Sequence, residues 1–221
     1  MKIFMSDLHI SSPLFQKENE VMEIINNPEV SEVYLLGDIL DTWEENPYDT
    51  KVNKRNIIDF LNNCGKVVVM LKGNHDPDLK TMRDIFTGFP VVEKYEMELF
   101  GRKTILVHGD EFDSSTIITR LIFPAHYIFE RMGVNMKGYF RTLYHKLLVF
   151  KNDSDKNSLV FKNEQKLFDK YTKDYDLVIA GHTHVAKLVR TPEGDYVNSG
   201  CVVYNPSYLE AYKNTLVLKR F

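Results

Sequence analysis

Five short apolar runs along the chain each stop at a polar cluster: "KIFMSD" (2–7), "VYLLGD" (33–38), "VVVMLKGN" (67–74), "TILVHGD" (104–110) and "LVIAGHTH" (177–184). Apolar residues occupy successive positions in each run, so both faces of the element are expected to be buried, and Gly, Asp or Asn bounds it. That is the pattern of interior strands. Between the early runs, residues 15–26 and 51–63 place apolar side chains three or four apart, as at Ile57, Ile58 and Leu61, which predicts helices. A shorter helix is predicted over 78–86, entered beside Pro77. Strands alternating with helices define an α/β domain. Further on, "VEKYEMELFGRKTILVHG" reads as two strands joined at Gly101. "KLVRTPEGDYVNSG" and "SYLEAYKNTLVLKRF" read as antiparallel pairs. The sheets are therefore expected to be mixed, and a sandwich of two sheets flanked by helices accommodates both halves.

The 221 residues fit one domain, 1–221, and a composition of 43% apolar and 27% charged residues is that of a folded globular chain. A net charge of −3 argues against nucleic acid as a partner. Cys64 and Cys201 stand far apart and in no paired motif, which argues against a disulfide scaffold and a thiolate zinc site and fits a reducing compartment. "MKIFMSDLHI" is interrupted by Asp7 and His9 and lacks the plan of a signal peptide. No stretch reaches the roughly 18 uncharged apolar residues of a spanning helix, so a cytoplasmic location is expected.

One segment departs from this background. Residues 114–151 carry Arg120, Arg131, Lys137, Arg141, Lys146 and Lys151 against the single acid Glu130. Phe140, Leu143, Tyr144, Leu147 and Leu148 keep helical spacing, and Ile117, Leu121, Ala125, Ile128 and Met132 do so around Pro124. This predicts a helical insert with basic edges between two strands that end in candidate site residues. It reads equally as a substrate lid or as a hairpin that only covers apolar surface, and contact with a membrane surface is compatible with it.

The candidate chemistry lies at the strand ends. They carry Asp7 and His9; Asp38 and Asp41; Asn74, His75 and Asp76; His108 and Asp110; His182 and His184. Taken singly, each group is ordinary turn chemistry. Taken together, each directly after an apolar run, they form a ligand inventory beyond the carboxyl ends of strands, where α/β sheets bind ligands. Imidazole and carboxylate without thiolate suit manganese, iron, zinc, cobalt or nickel. The ligands outnumber what one four-coordinate ion can use. Two divalent ions about 3.5–4 Å apart, bridged by one carboxylate, would use them, and such a pair hydrolyses phosphate esters with an activated water.

The blocks "DLH" (7–9), "GDILD" (37–41), "GNHD" (73–76), "HGD" (108–110) and "GHTH" (181–184), in this order, resemble the calcineurin-like metallophosphoesterase superfamily. The resemblance implies a four-layer α/β/β/α sandwich and a phosphorylated small-molecule or nucleotide-type substrate. It implies Asp7, His9 and His184 as ligands of one ion, with Asp38 bridging. Asn74, His108 and His182 would hold the second ion, with manganese as the leading candidate. His75 would face the substrate phosphate and Asp76 would orient its ring, while Asp41 and Asp110 would be supporting acceptors or structural caps. Chain length, hairpin and insert are also similar to UDP-2,3-diacylglucosamine pyrophosphatases, whose helical lid accommodates acyl chains. On that likeness Arg120, Arg141 and Lys146 would bind substrate, with Ser154, Lys156, Asn157 and Ser158 in a nucleotide-contacting loop. His75 departs from this pattern, since those enzymes typically carry Arg there. A nuclease and a non-catalytic protein-binding scaffold are the remaining alternatives; the intact ligand set opposes the second.

Overall fold

The computed structural model describes residues 1–112 and 162–221. The expected insert 114–151, with Arg120, Arg141 and Lys146, lies outside the described residues, as do Ser154, Lys156, Asn157 and Ser158.

The described chain forms two sheets and five helices. The first sheet holds β1 (Lys2–Met5), β2 (Glu32–Leu36), β3 (Val67–Leu71), β4 (Val91–Val92), β10 (Ser207–Tyr212) and β11 (Thr215–Arg220), in the order β11-β10-β1-β2-β3-β4. The second holds β5 (Lys94–Leu99), β6 (Arg102–Val107), β7 (Leu177–Ala180), β8 (Lys187–Thr191) and β9 (Gly194–Asn198), in the order β5-β6-β7-β9-β8. Both are mixed. β1, β2 and β3 run parallel, as do β6, β7 and β9, whereas β10–β11, β5–β6 and β8–β9 are antiparallel hairpins.

Three apolar cores show why the strands are apolar at every position. Successive side chains on a strand point to opposite faces. Ile3, Met5, Val33, Leu35, Val68 and Met70 therefore face one way, against Val21 and Ile25 of α1 (Glu18–Asn26), Ile57, Ile58 and Leu61 of α3 (Arg55–Asn63) and Met82 and Ile85 of α4 (Leu79–Ile85). Their neighbours Phe4, Tyr34, Leu36, Val69 and Leu71 face the other way and meet Leu106, Leu177, Ile179 and Val197 between the sheets. On the far face of the second sheet, Ile105, Val107, Val178, Ala180 and Tyr196 pack on Leu167, Phe168 and Tyr171 of α5 (Lys162–Tyr171). The layers run helix, sheet, sheet, helix, as expected.

Element boundaries moved where capping chemistry overrode periodicity. The helix expected over 51–63 is two: α2 (Pro47–Asn53) and α3, broken at Lys54. The Asn46 side chain accepts from the Tyr48 amide, and Pro47 fills the first turn, which draws the start forward. The helix expected from residue 15 begins at Glu18, with Phe15 buried ahead of it. The hairpin turns at Phe100–Gly101, both at positive φ. Cys64 and Cys201 are free thiols. No helix among the described residues is long and apolar enough to cross a membrane.

The strand exits continue the hydrogen-bond ladder past the strands themselves. Asp7 N–H donates to Gly37 O (3.0 Å), His9 N–H to Asp38 O (3.0 Å) and Gly181 N–H to His108 O (2.9 Å). The loops that carry the candidate ligands are thereby tied to one another by backbone hydrogen bonds.

Candidate metal centre

Two clusters of donor atoms form where the exits of the two sheets meet. In the first, His184 Nε2 stands 2.9 Å from Asp7 Oδ1, and His9 Nε2 is 4.0 Å from the same oxygen. All three side chains are buried, and they satisfy the spacing of a group that could hold a metal ion. In the second, His108 Nε2 lies 3.3 Å from Asp38 Oδ2 and 3.1 Å from Asn74 Oδ1. His182 completes that group with Asp38 and His108, its ring 5.1 Å from that of His108. The seven residues expected as ligands thus come together as two adjacent sets, drawn from both sheets.

The donor atoms fit a cation. His9 Nε2 is buried without a hydrogen-bond partner, although a buried polar atom left so costs about 1–3 kcal/mol, and the contact of Asp7 Oδ1 with His184 Nε2 at 2.9 Å is an ion pair without hydrogen-bond geometry. The opposite ring edges are committed elsewhere. His108 Nδ1 donates to the Leu36 carbonyl at 2.8 Å, and His9 Nδ1 donates to Asp41 Oδ2 at 3.0 Å. That leaves each Nε2 as the ring nitrogen turned into its cluster, where loss of its proton would give the donor of a ligating histidine.

His75 is buried beside the two clusters, and its backbone N–H donates to Asp38 Oδ1 at 2.7 Å. The carboxylate on its ring is not the expected one. Asp41 Oδ1 lies 3.2 Å from His75 Nδ1, so Asp41 serves His9 and His75 with one oxygen each. A third spatial group, His9, Asp41 and His75, is this hydrogen-bonded bridge. Asp76 instead accepts three backbone amides, from Ile39 (3.0 Å), Leu40 (2.8 Å) and Gly73 (2.9 Å). The expectation that Asp76 orients His75 is corrected on that ground: its oxygens tie the β2 and β3 exits together. Asp41 was visible in "GDILD" as an acceptor, but the sequence did not say whose.

Electrostatics follow burial and neighbours. Burial would raise the Asp7 carboxyl, but the His184 and His108 rings beside it hold it down at about 2. Asp38 is likewise held well below the carboxylate range against burial, chiefly by His108 and His75. Burial opposes charge on His9, yet Asp41, Asp38 and Asp7 lift it to about 9. His108 is raised well above its ordinary value against burial, first by Asp38. Burial keeps His184 below its ordinary value despite Asp7. Asp7 and Asp38 are thus held as carboxylates, and they favour the protonated forms of the His9 and His108 rings.

A model of the calcineurin-like phosphoesterase family matches residues 3–186. The chain belongs to this family. A comparison with curated proteins by sequence finds no match. Among solved structures, it is similar to an archaeal phosphodiesterase at 16% identity and TM-score 0.57, covering 100% of this chain and 99% of that one. It is also similar to Vps29 from Chaetomium thermophilum (11% identity, TM-score 0.54, covering 100% and 92%) and to a hypothetical protein from Pyrococcus horikoshii (10%, 0.53, covering 100% and 88%). At these identities the likeness is one of fold.

In this member of the calcineurin-like phosphoesterase family, the backbone turns sharply at the candidate ligands. Asp7, His9, Asp38, His182 and His184 all have φ between 47° and 68°. That region is disfavoured for residues with a side chain and, where imposed, is characteristic of functional sites. Among the described residues the other non-glycine cases, Phe100, Lys213 and Asn214, sit in hairpin turns. Two glycines make room for the clusters. A Cβ on Gly37 would stand 2.5 Å from His108 Nδ1, and one on Gly73 would stand 2.2 Å from Asp38 Oδ1. Trp43 stacks on His75 (4.3 Å between centroids) and Tyr204 on His184 (5.4 Å), two aromatic walls that sequence periodicity did not reveal.

Proposed function

We propose that this protein is a metal-dependent phosphoesterase that hydrolyses a phosphate mono- or diester, or a pyrophosphate, of a small-molecule or nucleotide-type substrate. The observation that carries this reading is the pair of adjacent buried donor clusters, with His9 Nε2 turned into the first of them without a hydrogen-bond partner. Asp7, His9 and His184 would hold one divalent ion and Asn74, His108 and His182 the other, with Asp38 between them. Manganese fits this nitrogen–oxygen set, as do iron, zinc, cobalt and nickel. When bound, such a pair polarises a phosphoryl oxygen and supplies hydroxide near neutral pH.

The chain's own residues do the rest. His75, with Nδ1 committed to Asp41, offers its Nε2 proton to the leaving oxygen or stabilises the phosphoryl charge. Two carboxylates, Asp38 and Asp41, raise its pKa against burial and so favour the protonated ring. Trp43 against one face limits the ring's rotation.

Asp38→Ala should abolish Mn2+-dependent hydrolysis of bis(p-nitrophenyl) phosphate, and unchanged turnover would sink the proposal. His75→Ala should lower turnover by about 10²–10⁴ while bound metal stays near the parent's level. Metal loss equal to that of Asp38→Ala would refute the role given to His75. A panel of monoesters, diesters, cyclic nucleotides and UDP-diacylglucosamine separates the substrate classes. Cleavage of the last alone would favour the lipid pyrophosphatase alternative, which the histidine at position 75 opposes.

A further inference from the structure

Against the "GHTH" loop lies a buried ion pair that the phosphoesterase chemistry does not use. Glu164, in the first turn of α5, is 2% exposed, and Lys187, at the start of β8, is 3% exposed. Lys187 Nζ donates to Glu164 Oε2 at 2.8 Å. The other oxygen, Oε1, accepts from the Thr183 hydroxyl at 2.7 Å and from Tyr196 Oη at 3.4 Å. Asn198 Nδ2 donates to Thr183 Oγ1 at 3.1 Å and to the Gly181 carbonyl at 2.5 Å. Thr183 N–H also donates to Gly181 O at 2.8 Å.

Thr183 is the one residue between His182 and His184. Those histidines serve different clusters, His182 with Asp38 and His108, His184 with Asp7 and His9. Both have positive φ, at 68° and 59°, a conformation that needs outside restraint. The restraint reaches the loop from α5, β8 and β9 at once, through a single hydroxyl and a single carbonyl. A buried ion pair is a weak source of stability, because desolvation offsets most of its attraction, and well-packed apolar replacements are often neutral or stabilising. What it supplies is an oriented acceptor: Lys187 Nζ fixes one oxygen of Glu164, and the other oxygen holds the Thr183 hydroxyl.

We infer that Glu164, Lys187 and Thr183 are positioning residues that fix the spacing of His182 and His184 and thereby set cation affinity at both clusters. The inference rests on the reading of the site as a metal centre. The contacts come from three separate elements, Glu164 of α5, Lys187 of β8 and Asn198 of β9.

The test is calorimetric titration of the chelator-treated full chain with Mn2+, alongside thermal melting of the same metal-free samples. Thr183→Val removes the hydroxyl at nearly constant shape and should weaken Mn2+ binding about tenfold or more, the usual effect of losing a supporting hydrogen bond. Thr183→Ser should restore the parent affinity. The pair Glu164→Leu with Lys187→Met should melt at or above the parent temperature yet bind Mn2+ as weakly as Thr183→Val. A purely structural role would move melting and affinity together. Parent-like affinity in Thr183→Val, or weakening in the double variant only in step with its melting temperature, overturns the inference while leaving the metal centre intact. A parent that takes up no Mn2+ overturns both, and that outcome is read before any variant is made.

Discussion

Asp41 divides one carboxylate between two histidines, His9 through Oδ2 and His75 through Oδ1. The first ring belongs to a cluster and the second is the one proposed to act on the phosphate, so a single substitution should affect both binding and chemistry. Asp41→Asn keeps one acceptor oxygen and loses the charge. It should lower Mn2+ affinity and turnover, each by about 10–100-fold, whereas His75→Ala should lower turnover alone. Parallel titration and steady-state kinetics would separate the two. Protons give a second expectation at this scale. Carboxylate neighbours lift His9 to about 9 in the metal-free chain, and a ligating imidazole must be neutral. Metal uptake should therefore release protons, and affinity should rise as pH goes from 7 towards 9. For folding the sign is reversed. A raised histidine pKa contributes stability in full below the ordinary value near 6.5 and loses it as pH passes about 9. Titration in two buffers of different ionisation enthalpy counts the protons. The candidate donors were legible because they cluster at the ends of apolar runs, and the structure brings them together in two groups. Which of Asp41 and Asp76 meets His75 was not legible, since both carboxylates belong to motifs close to it and only the loop geometry assigns Asp76 to the Ile39, Leu40 and Gly73 amides.

Strands and turns show where pattern suffices and where it fails. Runs such as "VYLLGD" specify strands buried on both faces, and Val33/Leu35 and Tyr34/Leu36 do divide between two cores. Helix boundaries were less legible, because the Asn46–Pro47 cap outweighs the apolar period that begins later. Pairing order is least legible: β10 lies beside β1 although some 200 residues separate them, a non-local choice that no local pattern encodes. Two positions offer element-scale tests. Phe100 holds φ 56° in the β5–β6 turn and is 37% exposed. Phe100→Asn gives the Asn-Gly pair that such turns prefer, and should stabilise by about 0.5–1 kcal/mol in urea denaturation. Gly37 is the opposite case: at φ 91° and with His108 Nδ1 2.5 Å from a built Cβ, Gly37→Ala should cost more than about 1 kcal/mol and weaken metal binding.

At the scale of the whole molecule, the clusters lie across the seam between the sheets. Asp7, His9, Asp38 and Asn74 follow strands of the first sheet; His108, His182 and His184 follow strands of the second. The protein-only link across the seam includes His108 Nδ1 donating to the Leu36 carbonyl at 2.8 Å. Divalent ions bound by both sides would stabilise the docked state by mass action, about 2.7 kcal/mol at a hundredfold excess over Kd. For a chain of this size that corresponds to a rise in melting temperature of about 5–10 °C, to be read by calorimetry with and without chelator. An unchanged transition would mean that the ions do not bind the folded form selectively.

A centre divided between two sheets also acts as a proofreader of assembly. Each sheet can complete its own hydrogen-bond ladders, and α5 can cover its face, without any cluster gaining its full set of donors. A refolding species with native-like circular dichroism but undocked sheets would therefore be blind to metal. Uptake of a coloured ion such as Co2+ during refolding would time the closing of the seam, and would distinguish finished molecules from those that merely contain the right strands.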